Sequence, residues 1–157
     1  MHIALYQPDI PQNLGSALRL AACMHVGLEV IEPCGFIFDD KRIRRAGMDY
    51  MDHAALTRHA SWEDFLAWRG QNPEPPRIIL LTTKGSEPLT DFVFHPNDIL
   101  LAGRESAGVP DFVAEQADAR VRIPMHTGAR SLNVVVSLSM VLTEALRQTR
   151  QFPKEHS

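Results

Sequence analysis

Short strand-like runs recur along this chain with amphipathic segments between them, and that alternation limits the folds available to it more than any other feature. The runs are His2–Tyr6, Leu28–Ile31, Ile78–Leu81, Ile99–Ala102 and Arg120–Ile123. A run such as ILLA (99–102) is apolar without interruption, so both of its faces need cover, as in a parallel sheet lying between helices. The expected class is therefore α/β, a parallel sheet in an α/β/α arrangement. At 157 residues the chain is the size of one domain. The proline-rich QNPEPPR (71–77) is expected to be a connector, because too little chain flanks it to make two ordinary domains.

Helices are expected between the strands. Leu14, Ala17, Leu18 and Ala21 follow an i, i+3, i+4, i+7 series, with Gly27 just beyond as the expected stop. Ser61 and Asp64 imitate a capping box, which predicts a helix over Ser61–Arg69. From Asn133 to Leu146 the sequence NVVVSLSMVLTEAL is apolar on nearly every face. Such a helix can rest one side on the sheet and meet a second copy of the chain with the other, or it can be central and wholly buried in one copy.

Charge and chemistry narrow the function. A net charge of −3 argues against a protein that coats nucleic acid indiscriminately, yet Lys41, Arg42, Arg44 and Arg45 crowd together in FDDKRIRRAGMDY. That cluster is either a solvated, self-paired surface helix or a patch for RNA phosphates. Cys23 and Cys34 fit no redox or metal spacing and are expected to be buried thiols in a reducing compartment. The scattered histidines make no ligand pair, so no metal site is expected. No apolar run approaches the ~20 residues of a membrane span, and the first residues do not resemble a signal peptide, so the expected location is cytoplasmic.

In a parallel sheet, ligands belong at the carboxyl ends of the strands. Three loops there carry unexpected polar groups. In QPDIPQNLGSALR, Asn13, Gly15 and Arg19 stand at the entrance and on the first turns of a helix; an Asn N-cap with an exposed Arg would explain them equally well. The second loop, in ILLAGRESAGVP, holds Gly103, Arg104, Glu105, Gly108 and Pro110. It lacks both the dinucleotide and the P-loop fingerprints, and Glu105 at its tip would repel a phosphate. Gly103 at a strand end would let another molecule approach the backbone. In the third, IPMHTGARSLNVVV, Ser131 and Asn133 are placed to cap the last helix, while backbone at Ile123, Met125 and Leu132 is available to a ligand.

Taken in order, NLGSALR, GRESAGVP and IPM followed by SLNVVVSLSM resemble the three motifs of the SPOUT superfamily of RNA methyltransferases, on the SpoU-like branch that modifies ribose 2′-hydroxyls. IEPCGFIFDDKRIRRAGMDY and LLTTKG look like the members that methylate the wobble nucleotide, cytidine or uridine 34, of tRNA. The resemblance implies a C-terminal trefoil knot, S-adenosyl-L-methionine as cofactor, and a homodimer packed through terminal helices. It implies cofactor contacts at Leu81, Thr82, Gly103, Glu105, Ile123, Met125, Ser131 and Leu132, with Ile123 and Leu132 on either side of the adenine. Arg19 matches the family's catalytic arginine and Asn13 its companion. The candidates for RNA contact are Lys41, Arg42, Arg44, Arg45, Tyr50 and Asn133, on the anticodon stem-loop of tRNA; neither DNA nor membrane is an expected partner. One departure is Val135, where relatives commonly carry a small or polar residue; Ser137 or a water would have to replace any hydroxyl needed there.

The implied donor carries a cationic sulfonium and no phosphate, which reconciles the loop with Glu105. No His, Asp or Glu in the three motifs is an obvious base, and a guanidinium stays protonated in proteins, so Arg19 is expected to clamp ribose and phosphate while phosphate or water takes the proton. Rival expectations are a catalytically silent knotted RNA-binding dimer, a 2′-O-methyltransferase acting at another RNA position, and a small nicotinamide-dependent enzyme.

Overall fold

The computed structural model describes residues 1–38, 55–84 and 87–154. Seven strands form one parallel sheet: β1 (His2–Tyr6), β2 (Gly27–Ile31), β3 (Leu56–His59), β4 (Ile78–Leu81), β5 (Glu87–Pro88), β6 (Ile99–Ala102) and β7 (Ala119–Arg122), in the spatial order β3-β2-β1-β6-β4-β7-β5. The helices among the described residues are α1 (Pro11–Met24), α2 (Trp62–Arg69), α3 (Asp111–Glu115) and α4 (Val134–Thr149). The chain steps outward from β1 through β2 to β3, and later strands fill the other side, so the order reverses beside β1. Such a reversal opens a crevice at the carboxyl ends of the strands.

The uninterrupted apolar runs are explained by two cores, one on each face of the sheet. Ile3, Leu5, Leu28, Val30, Ile79, Leu100 and Ala102 pack under α1 and α4, which contribute Leu14, Leu18, Leu138 and Leu142. Their alternates, Ala4, Tyr6, Ile31, Ile78, Leu80, Ile99 and Leu101, pack with Trp62 and Phe65 of α2 and Val113 of α3. Alternate residues of a strand point to opposite faces, so a strand covered twice has to be apolar throughout. Helix α4 packs on α1 and β6 and buries Leu138, Val141, Leu142, Ala145 and Leu146. Its other side leaves Val136 and Met140 exposed, four residues apart, so α4 is not a central helix enclosed by this chain alone.

The helix ends correct several expectations. Ser61 does cap α2, its side chain accepting from the Asp64 amide at 3.1 Å. Helix α1, in contrast, starts at Pro11 and places Asn13 inside its first turn, so Asn13 is no N-cap. It stops at His25, held in the left-handed region at φ 53°, before Gly27 is reached. Gly27 instead opens β2, where a Cβ would stand 2.2 Å from Nδ1 of His2. Cys23 is exposed and Cys34 half-buried, so neither is the buried thiol expected; position 23 falls off the inward series of Leu14, Ala17, Leu18 and Ala21. Burial pushes the Cys34 thiol up to about 11. Strands β3 and β5 and helix α3 lie outside the expected set, and β7 begins at Ala119 rather than Arg120. Among the described residues no helix is long and apolar enough to cross a membrane.

A buried polar pair, Glu29 and His59, lies on the α2 side of the sheet. Glu29, 1% exposed, receives Nδ1 of His2 at 2.8 Å and Nε2 of His59 at 2.7 Å, and the Trp68 ring lies 5.5 Å from one imidazole and 5.3 Å from the other. The carboxylate thereby fastens β2 to the start of β1 and the end of β3. Glu29→Ala is expected to cost about 3 kcal/mol, because the buried His59 imidazole loses its partner in a dry environment and the half-buried His2 loses its own. Glu32→Ala, which removes only the exposed pair with Arg58, is expected to cost under about 1 kcal/mol. Urea midpoints of the two variants check the contrast; equal shifts would contradict it.

Candidate active site

The loops after β1, β4, β6 and β7 meet at the carboxyl edge of the sheet around a cavity of about 450 Å³. All eight positions expected to contact a cofactor line it: Leu81, Thr82, Gly103, Glu105, Ile123, Met125, Ser131 and Leu132. Asn133 lines it as well, and so does Ser137, the hydroxyl considered as a substitute at the Val135 departure. Val135 itself packs against the α1 and α4 core. The walls combine aliphatic side chains with polar ones, Arg104, Glu105 and Arg122 among them, so the cavity can both enclose an apolar ring and orient it through polar contacts.

Each wall is set by local chemistry. Gly103 is required by the loop's own closure, since a Cβ there would lie 2.5 Å from the Gly108 carbonyl carbon. Its smallness therefore lets the chain fold back on itself, and Gly103 lines the cavity at the same time. Arg104 and Gly108 exchange two backbone hydrogen bonds, at 3.0 and 2.8 Å, with Gly108 at φ 68°. Asn133 caps α4: its Oδ1 accepts from the amides of Val135 at 2.8 Å and Val136 at 3.3 Å. Ser131 is exposed on the cavity wall, outside the cap.

The Asn13 side chain joins three of these loops. Its Nδ2 donates to Oε1 of Glu105 at 2.9 Å, and its Oδ1 accepts from Nδ2 of Asn133 at 3.0 Å. Asn13 is only 8% exposed, so these bonds are largely shielded from water. Glu105 spends its other oxygen on the Asp9 amide at 2.9 Å, while its own amide donates to Oδ1 of Asp9 at 3.1 Å. The carboxylate at the loop tip is thus a tie between loops, directed onto protein donors. Asp9, which sequence reasoning passed over, completes the tie by accepting from the Ser106 hydroxyl. Hydrogen bonding with Glu105 and Ser106 holds the Asp9 carboxyl down at about 2, so it is ionised at neutral pH. The sign of its presence was an acid between two prolines in QPDIP, at the end of a strand.

Arg19 is brought to the same helix as Asn13 but to a different place. It is exposed, six residues and roughly 9 Å further along α1, and it is absent from the cavity wall. Lys41, Arg42, Arg44, Arg45 and Tyr50 lie outside the described residues. Among the described residues no group of three or more His, Cys, Asp or Glu side chains is arranged to hold a metal ion.

The sequence of residues 1–143 matches the model of the SpoU rRNA methylase family. A protein of Beijerinckia indica subsp. indica named tRNA (cytidine(34)-2′-O)-methyltransferase is 57% identical over 152 residues, covering 97% of this chain and 94% of its own. A solved structure that gives insight into the 2-OH methylation of C/U34 on tRNA superposes with a TM-score of 0.85 at 37% identity, covering 94% of each chain. The AdoMet-bound rRNA methyltransferase of Sinorhizobium meliloti superposes with a TM-score of 0.81 at 29% identity, over 93% of this chain and 55% of that one. The family match over residues 1–143 and the high identity to these relatives agree: the chain belongs to the SpoU rRNA methylase family.

Proposed function

We propose that this protein transfers a methyl group from S-adenosyl-L-methionine to the ribose 2′-hydroxyl of nucleotide 34, cytidine or uridine, in the anticodon loop of tRNA. The observation that carries the reading is the cavity whose motif loops Asn13, itself outside the lining, ties together through Glu105 and Asn133. The identity to relatives named for that activity supports the choice of RNA and position. The chain is read as a single SPOUT domain over residues 1–157, working in the cytoplasm. The knot belongs to this proposal too. Residues 123–133 run back from β7 to α4 past the loops after β4 and β6, the path that threading would need.

The cavity suits the cofactor in size and in kind. Leu81, Ile123 and Leu132 offer apolar walls to an adenine, and Thr82, Met125, Ser131 and the glycine-closed turn at Gly103 and Glu105 line the same cavity. When bound, the cofactor supplies an electrophilic methyl group on a sulfonium. The protein's part is to align a poor nucleophile with it and exclude water. Asn13 fixes the relative positions of the walls, and Asn133 holds α4 against them on the RNA side. Arg19 clamps the ribose and a neighbouring phosphate through its planar fork, leaving the proton to phosphate or water.

A homodimer completes the site. Leu132, Val136 and Met140, exposed at 39, 47 and 43%, form an apolar stripe beginning at the cavity and running along α4. A second copy covering that stripe brings its own terminal helices beside the cavity, which gives the exposed Arg19 a route to a reaction centre.

Arg19→Lys keeps the charge and loses the fork, and turnover is expected to fall at least roughly tenfold with cofactor affinity unchanged. Near-normal turnover would remove Arg19 from the mechanism. Asn13→Ala strands Glu105 Oε1 and Asn133 Nδ2, with an expected cost of about 1–3 kcal/mol and weaker cofactor binding, measurable by urea unfolding and calorimetry. S-adenosylmethionine at about 100 times its Kd should stabilise the wild type by roughly 2.7 kcal/mol, and NAD should not; the reverse would exclude the assigned cofactor. Mapping 2′-O-methyl groups in tRNA from cells lacking the gene locates the target: loss at nucleotide 34 is expected, and loss elsewhere would reassign it.

A further inference from the structure

Beyond the cavity, the carboxyl edge of the sheet carries a second built feature. Arg58, near the end of β3, lays its guanidinium over the Phe38 ring at 3.8 Å from the centroid. Its Nε donates to Oε1 of Glu32 at 2.5 Å, which fixes the plane at its edge. Glu32 is itself anchored, its amide donating to the His59 carbonyl at 2.9 Å. The Arg58 side chain is still 43% exposed. With one face on an aromatic ring and one edge on a carboxylate, what this group offers outward is a flat π-face whose charge is already paired. A phosphate would meet Glu32 as well; an unpaired nucleobase would meet a stacking surface.

The feature is coupled rigidly to the cavity. The Gly35 amide donates to the Pro8 carbonyl at 2.9 Å, and a Cβ at Gly35 would lie 2.7 Å from Cβ of Asp9, so the loop after β2 sits directly against the loop after β1. Asp9 is in turn tied to Glu105 on the cavity wall. Three strand spacings, about 14 Å, separate β3 from β6 along the edge, a span that a short single-stranded stretch of RNA bridges.

We propose that Arg58, held flat by Phe38 and Glu32, is a stacking platform for an unpaired base of the substrate loop near the methylated nucleotide, and that it sets which nucleotide reaches the cavity. The Glu32 edge further favours a base with an amino group to donate. This rests on the reading of the cavity as an RNA ribose methylation site, and it assigns to that site a specificity residue outside the three motifs.

The test is equilibrium binding of full-length tRNA carrying an abasic residue at each anticodon-loop position in turn, with S-adenosylhomocysteine present so that no methyl transfer is needed. The wild type is expected to lose roughly 5–150-fold in affinity at one position other than 34. Arg58→Lys, which keeps the charge without the plane, should bind intact tRNA more weakly and be indifferent to the abasic residue at that position. Phe38→Leu should behave likewise, and thermal melting confirms that both variants are folded. Arg58→Gln should leave the salt dependence of binding as in the wild type. Equal abasic profiles in wild type and Arg58→Lys would overturn the platform, as would a salt slope in Arg58→Gln shallower by about 0.7, the mark of a lost phosphate contact. Failure of the wild type to bind tRNA would overturn it too. A wild type that shows the expected profile yet transfers no methyl group would sink the functional reading and leave the platform standing.

Discussion

The Asn13 amide is where three loops, distant in sequence, become one site. A primary amide can donate and accept at once, and here it does both, to Glu105 on one side and to Asn133 on the other. Neither partner serves Asn13 alone. Glu105 also receives the Asp9 amide, and Asn133 also caps α4 through the oxygen that its bond to Asn13 leaves available. The position of the last helix, the closure of the turn after β6 and the entrance of α1 are therefore set together. Shielding from water strengthens each bond and raises the cost of leaving any of them unmade.

The same arrangement explains an acidic residue at the tip of a glycine-bearing loop. Such loops commonly present their amides to phosphate, and a free carboxylate there would defeat that use. Both oxygens of Glu105 are instead occupied by protein donors, and Gly103 and Gly108 serve the turn's internal closure. The cavity beside it is walled by aliphatic side chains and glycines together with polar groups, Arg104 and Arg122 among them.

What the sequence disclosed followed from local physics. Runs covered on both faces announce themselves by composition, so β1, β4 and β6 were legible with their bounds, and the Ser61 cap was legible from its hydroxyl three residues before Asp64. Strands β3 and β5 were hidden because LTRH and the two-residue Glu87–Pro88 lie at the sheet edges, where pairing with a neighbour creates the strand. Helix α3, at five residues, is too short to show a period. Asn13 could pass for an N-cap by residue type; Pro11, which favours the first helical position, was the cue that the helix begins earlier. That eight scattered positions would line one cavity came from resemblance of motifs, and the ties that hold them there span 92, 96 and 120 residues, beyond any local rule. The basic cluster from Lys41 to Arg45 falls outside the described residues, and the Arg58 platform left no trace in sequence because its three members come from two strand ends and a loop.

Methyl transfer by this protein requires a convergence in space: a seat for the methyl donor made by the three motif loops, with an arginine from α1 close enough to present the ribose. A crystal structure of the protein with S-adenosylhomocysteine measures this most directly. The adenine is expected between Ile123 and Leu132, the sulfur facing the Asn13 side of the cavity, and an Arg19 guanidinium, from the same chain or from a second copy, within a nucleotide's reach of the sulfur. A ligand bound elsewhere, or Arg19 remote from the sulfur in both subunits, would contradict it.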